Sequence, residues 1–214
     1  METYVVRAWL PDRPGALGLV ASRIGAVGGD VVGIDILERG GGRVIDELVV
    51  VVRDDGVVDL LVAGIVQVDG VAVEDVRRVP EDRPDPGLAA LDVAAALVEA
   101  DPAHRLACLC AGVAALLEAD WVMAVDLARR EAVEAVGAGP DVAWLAAFVE
   151  GSRHLADGAP LGSAPGDLAW GAIDSIELVV ALGRSSRPLH MRERRQLERL
   201  CRVASGLIAP APVG

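Results

Sequence analysis

The 214 residues are 53% apolar and only 3% aromatic, which suits two domains of roughly 100 residues, each with its own core. The formal charge is −12, and with no lysine in the chain all positive charge is arginine. That balance disfavours nucleic acid and anionic membranes as partners, and the missing lysine excludes a P-loop or a Schiff-base lysine for a pyridoxal cofactor.

Tyr4 to Leu10 reads as a strand that stops at the dense turn signal Pro11-Asp12-Arg13-Pro14-Gly15. Leu17, Val20, Ala21, Ile24 and Val27 then recur at helical spacing, predicting a helix over about 15–27 that ends at Gly28-Gly29. Asp30 to Glu38 is a second strand, Gly40-Gly41-Gly42 a hairpin turn, and Arg43 to Val52 a third strand. Asp54-Asp55 supplies a cap for a second helix with the stripe Val57, Leu60, Leu61, Gly64 and Ile65. Residues 71–79 make a last strand, whose Glu74, Asp75, Arg77 and Arg78 suit an edge. The order is βαββαβ, a ferredoxin-like split unit over residues 1–79.

The run from Asp12 to Leu17, followed by Gly28-Gly29-Asp30-Val31, resembles the ACT domain family of amino-acid-sensing regulatory modules over residues 3–79. The chemistry of the loop stands beside the resemblance. Free amides at a helix start attract an anion, Gly15 leaves room for a carboxylate to approach the amides of Gly15, Ala16 and Leu17, and Asp12 can accept from an ammonium group. The resemblance implies a ligand at a dimer interface, between the Asp12–Leu17 loop, with its Arg13, and Asp30 of the neighbouring copy. Family members often carry Asn where this chain has Asp12 and Asp30; two carboxylates favour a cationic or amine-rich ligand, or a divalent ion. The same residues also fit a plain structural role, with Asp12 capping the helix and Pro14 fixing its first turn in a dimerisation scaffold without a ligand. A sheet with helices on one face leaves Val5 and Trp9 on the other, so a homodimer is expected.

Residues 80–87 form an acidic, proline-rich linker. Beyond it, helices are predicted over 88–100 and 103–119, the second capped by Asp101-Pro102. Strands follow at 121–127 and 131–136, then a helix over 141–157, a Gly/Pro-rich loop, strands near 168–173 and 176–183, and a helix over 189–208 with Leu197, Leu200, Cys201, Ala204, Leu207 and Ile208 on one face. This order resembles a degenerate GAF-like domain over residues 88–209, most closely from Glu177 to Leu200. The cyclic-nucleotide and chromophore residues of that family have no counterpart, which implies a structural or protein-binding module. The fold class expected for the whole is α+β.

His104 and Cys108 stand four apart, but a buried thiol beneath a helix-end histidine fits them better than a metal edge. His154 and His190 lack a partnered nucleophile, and Gly162-Ser163-Ala164 is not a nucleophile elbow. Arg192, Arg194, Arg195, Arg199 and Arg202 alternate with Glu193 and Glu198 as a solvated helix face. Cys108, Cys110 and Cys201 read as reduced, buried thiols of a cytoplasmic protein. No signal peptide or spanning helix is expected. The sequence therefore predicts a non-catalytic regulatory protein that binds a small molecule, expected to be an amino acid, without a cofactor.

Overall fold

The computed structural model describes residues 1–156 and 167–208, with side chains to Ser152 and again from Asp167. The predicted Gly/Pro-rich loop, Ser163 and the His154 side chain lie outside the described residues. The chain divides into two compact units, Met1–Arg83 and Pro84–Gly214. Both are mixed α+β, with a four-stranded antiparallel sheet in each and six α-helices in all among the described residues.

In the first unit, β1 (Glu2–Pro11), α1 (Ala16–Ala26), β2 (Asp30–Gly40), β3 (Arg43–Val52), α2 (Val58–Val66) and β4 (Ala72–Val79) follow in that order. The strands lie side by side as β2-β3-β1-β4, so β2 and β4 are the edges. Side chains alternate between faces. Tyr4, Val6, Ala8 and Leu10 of β1, with Val44, Leu48, Val50 and Val52 of β3, meet Ala16, Val20 and Ile24 of α1 and Leu61 and Ile65 of α2 in one core. The stripe expected on α2 is rotated, because Leu60 points outward and Leu61 and Ile65 carry the packing. Asp54 does cap, accepting from the Gly56 N–H at 2.9 Å, but on the single 3-10 turn before α2.

The second unit contains α3 (Pro86–Glu99), α4 (Arg105–Leu117), β5 (Trp121–Asp126), β6 (Glu131–Gly137), α5 (Val142–Ala156), β7 (Leu168–Ile173), β8 (Leu178–Gly183) and α6 (Met191–Leu207). Its sheet runs β6-β5-β8-β7. One face, with Val122, Ala124, Val180 and Leu182, packs on α4 and α6; the other, with Met123, Val125, Val179 and Ala181, packs on Leu145 and Val149 of α5. Helix α3 starts inside the expected linker, because Asp85 accepts from the Gly87 and Leu88 N–H groups and Pro86 fits the first turn. Asp101 makes no such cap: a 3-10 turn at Pro102–His104 stands between it and α4.

Candidate functional site

The loop after β1 is held at both ends. The Asp12 N–H donates to the Gly42 carbonyl at 2.9 Å, tying the loop to the β2–β3 hairpin, and the Arg13 N–H turns back to the Pro11 carbonyl at 2.8 Å. Gly15 then enters α1 with φ +87°, a left-handed conformation that a side chain disfavours. A Cβ there would meet nothing within 4 Å, so backbone conformation, not crowding, calls for glycine.

No side chain caps α1, which corrects the expectation that Asp12 caps it. The Ala16 N–H also differs from its expected role as a free donor: it donates to the Arg13 carbonyl at 3.3 Å, and Ala16 is buried. The Gly15 and Leu17 amides have no acceptor among the described residues, and Asp12, Arg13 and Gly15 are exposed around them. The start of α1 is thus an uncapped positive helix end, three residues along the chain from an exposed carboxylate.

Asp30 lies elsewhere. It pairs with Val51, which pairs with Thr3, whereas Pro11 pairs with Arg43 at the other end of the sheet. Eight residue steps of strand separate the two levels, about 27 Å at the usual rise. One chain therefore does not bring Asp12 and Asp30 together; only a second copy can supply Asp30 to the first copy's loop.

Two buried acids escaped the sequence reading. Asp46 and Glu47 are neighbours in β3, so the pleat sends one to each face. Glu47 lies on the face away from the helices with Arg7, whose Nε stands 2.6 Å from Oε2; Arg77 Nη2 approaches the same oxygen at 3.3 Å, and Arg83 Nη2 reaches Oε1 at 3.1 Å. Burial alone would raise the Glu47 pKa, but the Arg7, Arg77 and Arg83 guanidinium groups override it and hold the carboxyl at about 2. Val5 and Trp9 share that face, as expected, but Val5 is fully buried and Trp9 donates to Glu74 Oε1 at 3.0 Å. Asp46 lies on the helix-bearing face between Ala8 and Ile36, is 4% exposed, and its Oδ1 has no hydrogen-bond donor. Burial, and then the charge of Asp12, raise its pKa, while Arg39 lowers it. Two consecutive acids inside an apolar strand were the signal: when both faces are covered, neither acid can remain solvated.

In the second unit, buried arginines serve as clamps. Arg184 donates to the carbonyls of Leu117 at 2.7 Å, Arg187 at 3.0 Å and Pro188 at 2.6 Å, and pairs with Glu193 Oε1 at 2.7 Å. Arg194 donates to the Leu168 carbonyl at 2.7 Å and the Leu189 carbonyl at 3.2 Å. The expected solvated face of α6 is thus corrected: Glu193 and Arg194 point inward, and Arg195, Arg199 and Arg202 stay outside. Cys110 and Cys201 are buried, and burial pushes both thiols up to about 12, which makes them poor nucleophiles. Cys108 is only half-buried, where a buried thiol was expected. Among the described residues no group of three metal-ligating side chains gathers, and no helix is long and apolar enough to cross a membrane. A shallow depression of about 480 Å³ at Glu2, Thr3, Arg78 and Glu81 contains none of the loop residues.

No family model and no curated protein matches the chain. Solved structures with some likeness include an unknown protein from Galdieria sulphuraria, at 16% identity over 44% of this chain and 63% of that one, with a TM-score of 0.33. A formyltetrahydrofolate deformylase from Pseudomonas putida KT2440 shares 20% identity over 42% of this chain and 36% of that one, at a TM-score of 0.31. The C-terminal domain of the MgtC protein from Mycobacterium tuberculosis shares 17% identity over 40% of this chain and 95% of that one, at 0.32. The chain thus spans less than two thirds of the first two, and likeness this slight assigns neither a family nor an activity.

Proposed function

We propose that the first unit is a ferredoxin-like, ACT-type module that binds an amino acid at the Asp12–Leu17 loop. In this reading the chain is a non-catalytic, cytoplasmic regulator and the second unit is a GAF-like structural module. The observation that carries the reading is the start of α1. Gly15, at φ +87°, opens an eleven-residue helix with no side-chain cap, and the Gly15 and Leu17 amides have no acceptor among the described residues. The positive helix end suits an α-carboxylate and Asp12 suits an ammonium, the two charges of every amino acid. A thermal-shift scan of the full chain against the common amino acids tests this. At about 100 times its dissociation constant a native-state ligand adds ~2.7 kcal/mol, a rise of roughly 5–10 °C for a chain of this size. No rise with any amino acid at millimolar concentration refutes the reading.

A second reading has its own support. The edge strand β2 exposes Val32, Ile34 and Ile36, an apolar edge that favours pairing with a second copy. A homodimer through β2 serves a ligand-free scaffold as well as a sensor. Sedimentation equilibrium of the wild type and of Ile34→Arg tests it: the reading requires a dimer that the substitution dissociates, and a wild-type monomer at tens of micromolar overturns it.

A further inference from the structure

Helix α3 has no polar face. Of its side chains only Asp92 and Glu99 are polar, and both are acids. Val93, Ala94 and Leu97 pack inward on the core of the second unit. On the outer side Leu88, Leu91 and Val98 are 60%, 65% and 59% exposed, with exposed Ala95 among them. The positions 88, 91, 95 and 98 alternate steps of three and four, the apolar seam by which one helix packs against another. Scattered apolar residues are ordinary on a surface, but an aligned seam on a helix that is apolar on both sides calls for cover.

The neighbouring helix, α6, is charged the other way. Its exposed row is Arg195, Arg199 and Arg202, with Val203 37% exposed beside them. Gln196 Nε2 donates to the Pro86 carbonyl at 3.1 Å, near the start of both helices. Arg105, past the short turn that follows α3, donates to the Leu207 carbonyl at the end of α6 at 2.6 Å. The two helices therefore run the same way. Six residues beyond the Pro86–Gln196 contact on each helix stand Asp92 and Arg202, at the same height by helical rise.

We infer that the outer side of α3 and the arginine row of α6 together form an interface with a second copy of this chain. The charges choose both the occupant and the arrangement. In a two-fold pair whose axis runs along these helices, the apolar seams meet and each α3 lies beside the other copy's α6. Asp92 of each copy then stands level with the partner's Arg202, so acid faces arginine twice. An axis across the helices sets α3 on α3 instead and brings acids against acids. A chain with a net charge of −12 repels its own copies except where acidic and basic surfaces match, and this surface offers both. It belongs to the second unit and is separate from the β2 edge; where both pair, the wild type is larger than a dimer and Ile34→Arg reduces it to one.

The experiment is sedimentation equilibrium of the full chain in the Ile34→Arg background, which leaves this surface intact, with Asp92→Arg, Arg202→Glu and an equimolar mixture of the two. Both positions are exposed, and thermal melts establish that each variant folds. Ile34→Arg alone should be a dimer at tens of micromolar. Each charge reversal turns two symmetric attractions into repulsions, so its dissociation constant should rise about tenfold or more. In the mixture opposite charges meet again at both contacts, and the dimer should return to the strength of the Ile34→Arg protein. A monomeric Ile34→Arg protein, single reversals that associate as before, or a mixture no stronger than its components overturns the interface. The first of these outcomes leaves the β2 reading standing.

Discussion

Glu47→Gln should be among the most damaging single substitutions in the first unit. Glu47 receives Arg7, Arg77 and Arg83 within 3.3 Å, and both Glu47 and Arg7 are almost fully buried. A carboxyl held at about 2, against an ordinary value of 4.5, stabilises the folded state by about 3 kcal/mol at neutral pH. The direct cost of breaking a buried pair is of the same size, about 3–5 kcal/mol, because the buried Arg7 charge loses the Glu47 carboxylate. Since the folded pKa lies below the unfolded one, the contribution is complete above about pH 5 and is lost as pH falls toward 2. Urea denaturation followed by circular dichroism between pH 7 and pH 2.5 measures both effects. With a slope of about 1 kcal/mol/M for a unit this small, the pH 7 midpoint of the variant should drop by about 3 M, and its acid sensitivity should flatten. Glu2→Gln is the control. Its partner Arg78 is largely exposed, so the loss should stay below about 1 kcal/mol. A Glu47→Gln midpoint within about 0.5 M of wild type, or an unchanged acid limb, refutes the argument.

Three further outcomes follow from the same geometry. Arg184→Met strands the carbonyls of Leu117, Arg187 and Pro188 and removes the arginine charge beside the buried Glu193, so thermal melts should show a loss of about 3–5 kcal/mol, and a loss under about 1 kcal/mol contradicts the clamp. Asp46 has the opposite sign to Glu47: its raised pKa stabilises the fold below the unfolded value, and that contribution is lost as pH rises. Asp46→Asn should therefore melt at or above the wild-type temperature at pH 7, with the gap closing toward pH 4; a variant melting several degrees lower at pH 7 with the wild-type pH slope speaks against an unpaired carboxylate. A neutral-pH thiol assay on the native protein should modify Cys108 alone, with Cys110 and Cys201 reacting only after denaturation; rapid reaction of all three contradicts their burial.

The elements of both units were legible because their signals are local. Alternation marked β1 and β3, helical spacing marked α1 and α6, and the Gly28-Gly29 and Gly41-Gly42 pairs marked turns that take positive φ at Gly28, Gly41 and Gly42. Caps were less legible. Asp12 and Asp101 have the right chemistry at the right distance from a helix, but neither bonds to it, whereas Asp85, hidden in what reads as a linker, does. What a sequence withholds most is pairing across strands. Nothing adjacent to Glu47 announces that Arg7 and Arg77 will meet it from 40 and 30 residues away. Nothing in β1 or β2 announces that Asp12 and Asp30 end at opposite ends of one sheet. Arg194 reads as surface within an arginine run, yet it turns inward because the Leu168 and Leu189 carbonyls lie under the helix start.

The claim that the loop binds an amino acid is tested most directly by titrating isotope-labelled full-length protein with each common amino acid and following the backbone amide resonances. The account predicts that at least one amino acid moves the Gly15 and Leu17 amides saturably, together with residues around Asp12. Saturable shifts confined to other parts of the chain, or none at millimolar concentration, contradict it.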